Sequence, residues 1–123
     1  MSGPDQRPML PERAGDTTAE HPWPVRLLSL KIAEYVEKMS VLWVEGQVVQ
    51  LTRRPGQRTA YLTLRDPDVD LSLSVAIQTN ALDAMPTALS QGARVVVQVK
   101  PVFWTQRGTL MLDARQIDRK SVV

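Results

Sequence analysis

The chain has 123 residues, with 15 basic and 13 acidic groups, a formal net charge of +2 and no cysteine. One domain is the natural count for that length. The lack of cysteine excludes disulfides, thiolate nucleophiles and zinc–thiolate sites, and the single histidine, His21, leaves no histidine base for the remaining chain.

Residues 1–24 hold five of the nine prolines and four acidic against two basic groups. Such a stretch cannot bury enough apolar surface to offset its ordering entropy, so a disordered tail is expected. The 99 residues that follow carry 13 basic and 9 acidic groups. This mildly basic balance permits a nucleic-acid partner without demanding one. No apolar run approaches the roughly 18 residues of a membrane-spanning helix. No basic segment followed by an apolar core marks a secretory leader. A cytoplasmic location is therefore expected.

The first predicted element is a short helix over Ser29–Met39, with Ser29 as its N-cap. Ile32, Val36 and Met39 fall on one stripe, and Glu34 and Lys38 form an i, i+4 pair on the other side. The stripe is expected to close one end of whatever the strands build.

Five strand-like segments follow: Leu42–Arg54, Thr59–Arg65, Val69–Ile77, Ala93–Val102 and Thr109–Ile117. Gly46 in mid-strand predicts a bulge or a tight bend, which lets one long strand serve both halves of a small barrel. On the second strand Leu62 and Leu64 face one way, and Tyr61, Thr63 and Arg65 the other. On the third, Leu71, Leu73, Val75 and Ile77 are expected inside, with the small Ser72, Ser74 and Ala76 outside. Residues 79–90 predict a short helix interrupted at Pro86. The fourth strand puts Val95, Val97 and Val99 inward. The fifth puts Leu110, Leu112 and Ala114 inward, with Met111, Asp113 and Arg115 outward.

Three strands, a helix and two strands is the order of an all-β, five-stranded Greek-key OB-fold barrel, here occupying residues 25–120 with the first helix capping one end. The interior of so small a barrel is filled by its own side chains. Function is then expected on the outer face.

Four stretches resemble one family, the N-terminal OB-fold domain of the exodeoxyribonuclease VII large subunit. Trp43-Val44-Glu45-Gly46-Gln47-Val48 is similar to its tryptophan-bearing first strand, and Tyr61-Leu62-Thr63-Leu64-Arg65-Asp66 to its second. Residues 91–97 resemble its fourth strand, and residues 107–112 the start of its fifth. The family's Gly-His before the second strand is Arg58-Thr59 here, and its Glu after the first-strand glycine is Gln47. The resemblance implies binding of single-stranded DNA for an enzyme that degrades it to oligonucleotides, with a small subunit as partner. Family members are several hundred residues long. A shortened form or a stand-alone remnant without the nuclease centre is therefore expected, and catalysis by this chain alone is not.

Single strands bind by stacking bases on aromatic rings while cations follow the phosphates. Tyr61 and Arg65 share a strand face. Arg53, Arg54 and Arg58 lie in the loop joining strands one and two, and Trp104 and Arg107 in the loop joining strands four and five. In an OB-fold those two loops flank the ligand face, so DNA is expected to cross between them over Tyr61. Lys100, outward on the fourth strand, completes the candidate set. Trp43 reads as packing. Asp66-Pro67-Asp68-Val69-Asp70 lacks the glycine and glutamate of a calcium loop and reads as a hairpin turn. Glu45 reads as a partner for an arginine on a neighbouring strand. No cofactor or metal is expected. Protein-interaction and RNA-binding barrels are the alternatives.

Overall fold

The computed structural model describes residues 9–120. The first eight residues of the expected tail lie outside them. The rest of that stretch contains one 3-10 turn, Ala14–Asp16, and the Trp23 Nε1–H donates to the Pro11 carbonyl at 2.7 Å.

The first helix, α1, runs Val25–Glu37 and so begins a turn before the expected start. Pro24 sets its N-terminus. With φ fixed at −66°, it offers its carbonyl to the N–H groups of Leu27 and Leu28. Ser29 is thereby inside the helix, and its hydroxyl donates instead to the Thr105 carbonyl at 3.3 Å. Glu34 pairs with Lys31 at 3.7 Å, not with Lys38, which lies over the Tyr35 ring.

The strands are β1 (Leu42–Thr52), β2 (Thr59–Arg65), β3 (Ser72–Gln78), β4 (Arg94–Trp104) and β5 (Thr109–Arg119), with α2 (Thr79–Asp83) between β3 and β4. They close in the order β1-β2-β3-β5-β4. Only the β3–β5 pair is parallel. This is the OB-fold barrel that the element order predicts. β1 does serve both halves, pairing β4 through Leu42–Gln47 and β2 through Gln47–Thr52.

The bulge in β1 is at Val49, not at Gly46, because Val48 pairs with Leu64 and Gln50 with Thr63. Gly46 is needed for a different reason. A Cβ there would stand 2.5 Å from Leu64 Cγ, so only glycine lets Leu64 into the core. A second bulge falls at Arg115, where Gln98 pairs with Gln116 but Val99 with Ala114. It resets the alternation of β5, so that Ala114 and Ile117 both face inward.

The core is built from Val48, Leu62, Leu64, Val75, Ile77, Val95, Val97, Val99 and their neighbours. Leu71, Leu73 and Leu110 were expected among them but are 60%, 39% and 41% exposed. They stand at or beyond the barrel's rim, where β3 no longer pairs with β5. Met111, expected outside, is buried. Leu82 of α2 joins the core, with Ala81, Met85 and Leu89 packed against it. α1 lies against β4 with Ile32 and Val36 half-buried, Met39 exposed and no residue fully buried. Residues 84–90, expected to be helical, are not. α2 stops at Asp83, ahead of Pro86.

Candidate nucleic-acid interface

Strand register carries one row of residues around the barrel: Thr52 beside Tyr61, Tyr61 beside Ala76, and Ala76 beside Asp113. Tyr61 points away from the core and is 43% exposed. The alternation of β2 dictates this, because Ala60, Leu62 and Leu64 take the inner face. Ala76, expected outside, lies beside Tyr61 by register but is buried, at 8% exposure.

The two loops meet at this row. The loop after β1 turns at Gly56, whose φ of 79° suits glycine, and is closed by the Gln57 N–H on the Arg54 carbonyl at 3.2 Å. The loop after β4 is closed by the Arg107 N–H on the Trp104 carbonyl at 3.1 Å, with Gly108 at φ 61°. Thr52, Arg54, Gln57, Thr59, Tyr61 and Arg107 line one cavity of about 450 Å³. Tyr61 thus shares one cavity with an arginine from each loop. The Arg107 guanidinium carbon also lies 5.8 Å from the Trp104 ring centroid.

The other expected residues are placed elsewhere. Arg53 turns toward α2, where its Nη2 meets Asp83 Oδ1 at 2.6 Å. Arg58 is exposed at the base of the same loop, and its carbonyl accepts from the Thr79 N–H. Arg65 is four residues along β2 from Tyr61, roughly 13 Å at the usual strand rise. Its Nη1 donates to the Asp66 carbonyl, and its Nε is 3.9 Å from Asp70. Lys100 donates to the carbonyls of Glu37 and Met39, so it caps the C-terminal end of α1. Trp43 is 50% exposed opposite Gln98 and takes no part in the core. Thr52, Gln57 and Thr59 line the cavity although no motif singles them out. The strand alternation that exposes Tyr61 exposes Thr59 as well.

The acidic hairpin is a turn. Asp66 Oδ1 accepts from the N–H groups of Asp68 at 2.8 Å and Val69 at 3.2 Å. Glu45 has the cationic partner its position calls for, and a second besides. It accepts from Arg94 of β4 at 3.2 Å and from Lys120 just beyond β5. The Lys120 hydrogen bond, assisted by the charges of Lys120 and Arg94, holds its carboxyl below the ordinary glutamate range, against a smaller opposing effect of desolvation. Among the described residues no helix is long and apolar enough to cross a membrane.

Known proteins share the barrel. Residues 23–118 match the family described as an OB-fold nucleic acid binding domain. The exodeoxyribonuclease 7 large subunit of Nocardia farcinica is 45% identical over 100 residues, which is 81% of this chain and 24% of that protein. The chain thus spans about a quarter of the length of such curated relatives. Among solved structures, the N-terminal domain of PriB protein from Thermoanaerobacter tencongensis superposes with a TM-score of 0.51 at 19% identity, covering 67% of this chain and 97% of that one. The mitochondrial single-stranded DNA binding protein Rim1 of S. cerevisiae gives 0.50 at 16% identity, covering 69% and 99%. The closed β1-β2-β3-β5-β4 barrel and the family match over nearly all its length lead to one conclusion: this chain belongs to the OB-fold nucleic acid binding domain family.

Proposed function

We propose that this domain captures single-stranded DNA on the outer face of β2, with one base stacked on Tyr61 and phosphates held by Arg54 and Arg107. The observation that carries this reading is the convergence of those three side chains, from β2 and from two separate loops, on one cavity. A π face accepts any base, and two cations beside it suit a backbone more than a base edge, so little sequence preference is expected. Arg58, exposed on the same loop, and Trp104, beneath Arg107, extend this site. Arg53, Arg65 and Lys100 are engaged by other groups of the same chain and contribute less. The domain's role is to hold substrate for an exodeoxyribonuclease that cuts single strands into oligonucleotides, a cytoplasmic activity. The 45% identity to a protein of that name supports this. A small subunit is a partner of the whole enzyme and is not needed for capture.

Titration of labelled oligo-dT at about 50 mM salt tests the reading. Affinity should be modest and should fall as salt rises, because bound cations displace condensed counterions. Absence of binding at that salt removes the role. Competition with oligo-rU separates DNA from RNA, since a site that uses the 2′-hydroxyl prefers ribose.

A further inference from the structure

We propose that Trp104 acts on bound DNA through Arg107, as a positioning residue, and that its indole is not itself a platform for a base. The inference rests on the capture reading above.

Trp104 ends β4 and pairs with Thr109 across the turn. The turn is fixed at three points: the Arg107 N–H on the Trp104 carbonyl, the positive φ of Gly108, and the Thr109 hydroxyl on the Arg107 carbonyl at 3.2 Å. The Arg107 side chain lies over the indole, with 5.8 Å between guanidinium carbon and ring centroid. At that range the ring quadrupole attracts the cation, and tryptophan is the strongest partner of this kind. Arg107 reaches the cavity that holds Tyr61; Trp104 does not line it and is half-buried. The guanidinium stands over one side of the indole, and Trp104 and Arg107 also line a second cavity of about 370 Å³ with Phe103, Thr105 and Gln106. A phosphate beside Arg107 would find that guanidinium already held. An arginine restrained over a ring loses less rotamer freedom on gripping an anion than a free one.

A double-mutant cycle read by oligo-dT titration over a range of salt tests this. Trp104→Leu should weaken binding about three- to tenfold. It should also reduce the slope of log affinity against log salt by part of the roughly 0.7 that one phosphate on a single strand contributes. Arg107→Ala should remove that share entirely. Adding Trp104→Leu to Arg107→Ala should then alter neither affinity nor slope. Loss of the same factor in both backgrounds, or an unchanged slope in Trp104→Leu, makes the indole a base platform and overturns the inference. If Trp104→Leu does not fold, Trp104→Met runs the same cycle, because it keeps apolar volume while removing the ring. Failure of the unmodified chain to bind overturns the capture reading and this inference together; binding with additive losses overturns the inference alone.

Discussion

Gly46 of β1 sits so close to Leu64 of the neighbouring β2 that a methyl group on Gly46 would lie 2.5 Å from Leu64 Cγ and 2.8 Å from its Cδ1. Leu64 is buried and cannot swing into solvent. Gly46→Ala should therefore destabilise the domain by about 1–3 kcal/mol through overpacking. Leu64→Ala alone should cost about 2–5 kcal/mol through the cavity it leaves. The two together should cost less than their sum, because the new methyl group enters the space that the leucine vacates. Urea titration of the four proteins decides it; simple additivity would mean that the two sites do not share that space.

Tyr61 offers its ring outward, so its loss should be felt by ligand and not by fold. Tyr61→Ala should weaken oligo-dT binding roughly tenfold or more, in line with about 1–3 kcal/mol per base stack. Tyr61→Phe keeps the ring and should stay within about twofold of the parent. Fluorescence anisotropy measures both, and an unchanged Tyr61→Ala would remove the platform.

Adjacent arginines should behave differently. Arg54→Ala removes a cavity-lining guanidinium and should weaken binding several-fold with a shallower salt dependence. Arg53→Ala breaks an exposed pair with Asp83, costing stability of about 0.2–1 kcal/mol, and should leave affinity nearly unchanged. Lys100→Met should likewise spare affinity while loosening the end of α1. Amide exchange near Glu37–Met39 would report that loosening.

Glu45 gives the fold an acid-sensitive tie between β1, β4 and the chain beyond β5. Its carboxyl is held below the ordinary glutamate value of 4.5. A depressed folded-state value means that the unfolded chain takes up the proton first. The stabilisation is therefore present above the ordinary range and is lost as pH falls through the lower, folded-state value. Melting temperatures from pH 6 down to pH 3 should fall less steeply for Glu45→Gln than for the parent. Parallel curves would show that Glu45 has no part in the acid response.

Much of the architecture was legible because it rests on local periodicity. The alternation on β2 separates Ala60, Leu62 and Leu64 from Tyr61 whatever the barrel does beyond it. The turn glycines at 56 and 108 likewise mark two arginine-bearing loops between strands. A bulge defeats this kind of reading. The extra residues Val49 and Arg115 shift the inside–outside alternation by one, and only the partner strand reveals them. The rim leucines fail for a related reason: alternation assigns Leu73 a face but not a neighbour.

By itself, then, the order of residues determined which side chains share a face and where the chain reverses, since both follow from backbone geometry over a few neighbouring residues. Only the closed barrel decided which of eight candidate side chains stand together. Arg54 and Arg107 lie more than fifty positions apart in the chain and line one cavity, while Arg53, next door to Arg54, is drawn to α2 by Asp83. Charge pairing across strands and helices is set by distance in space. A pattern read along one strand therefore cannot tell a free cation from one already bound.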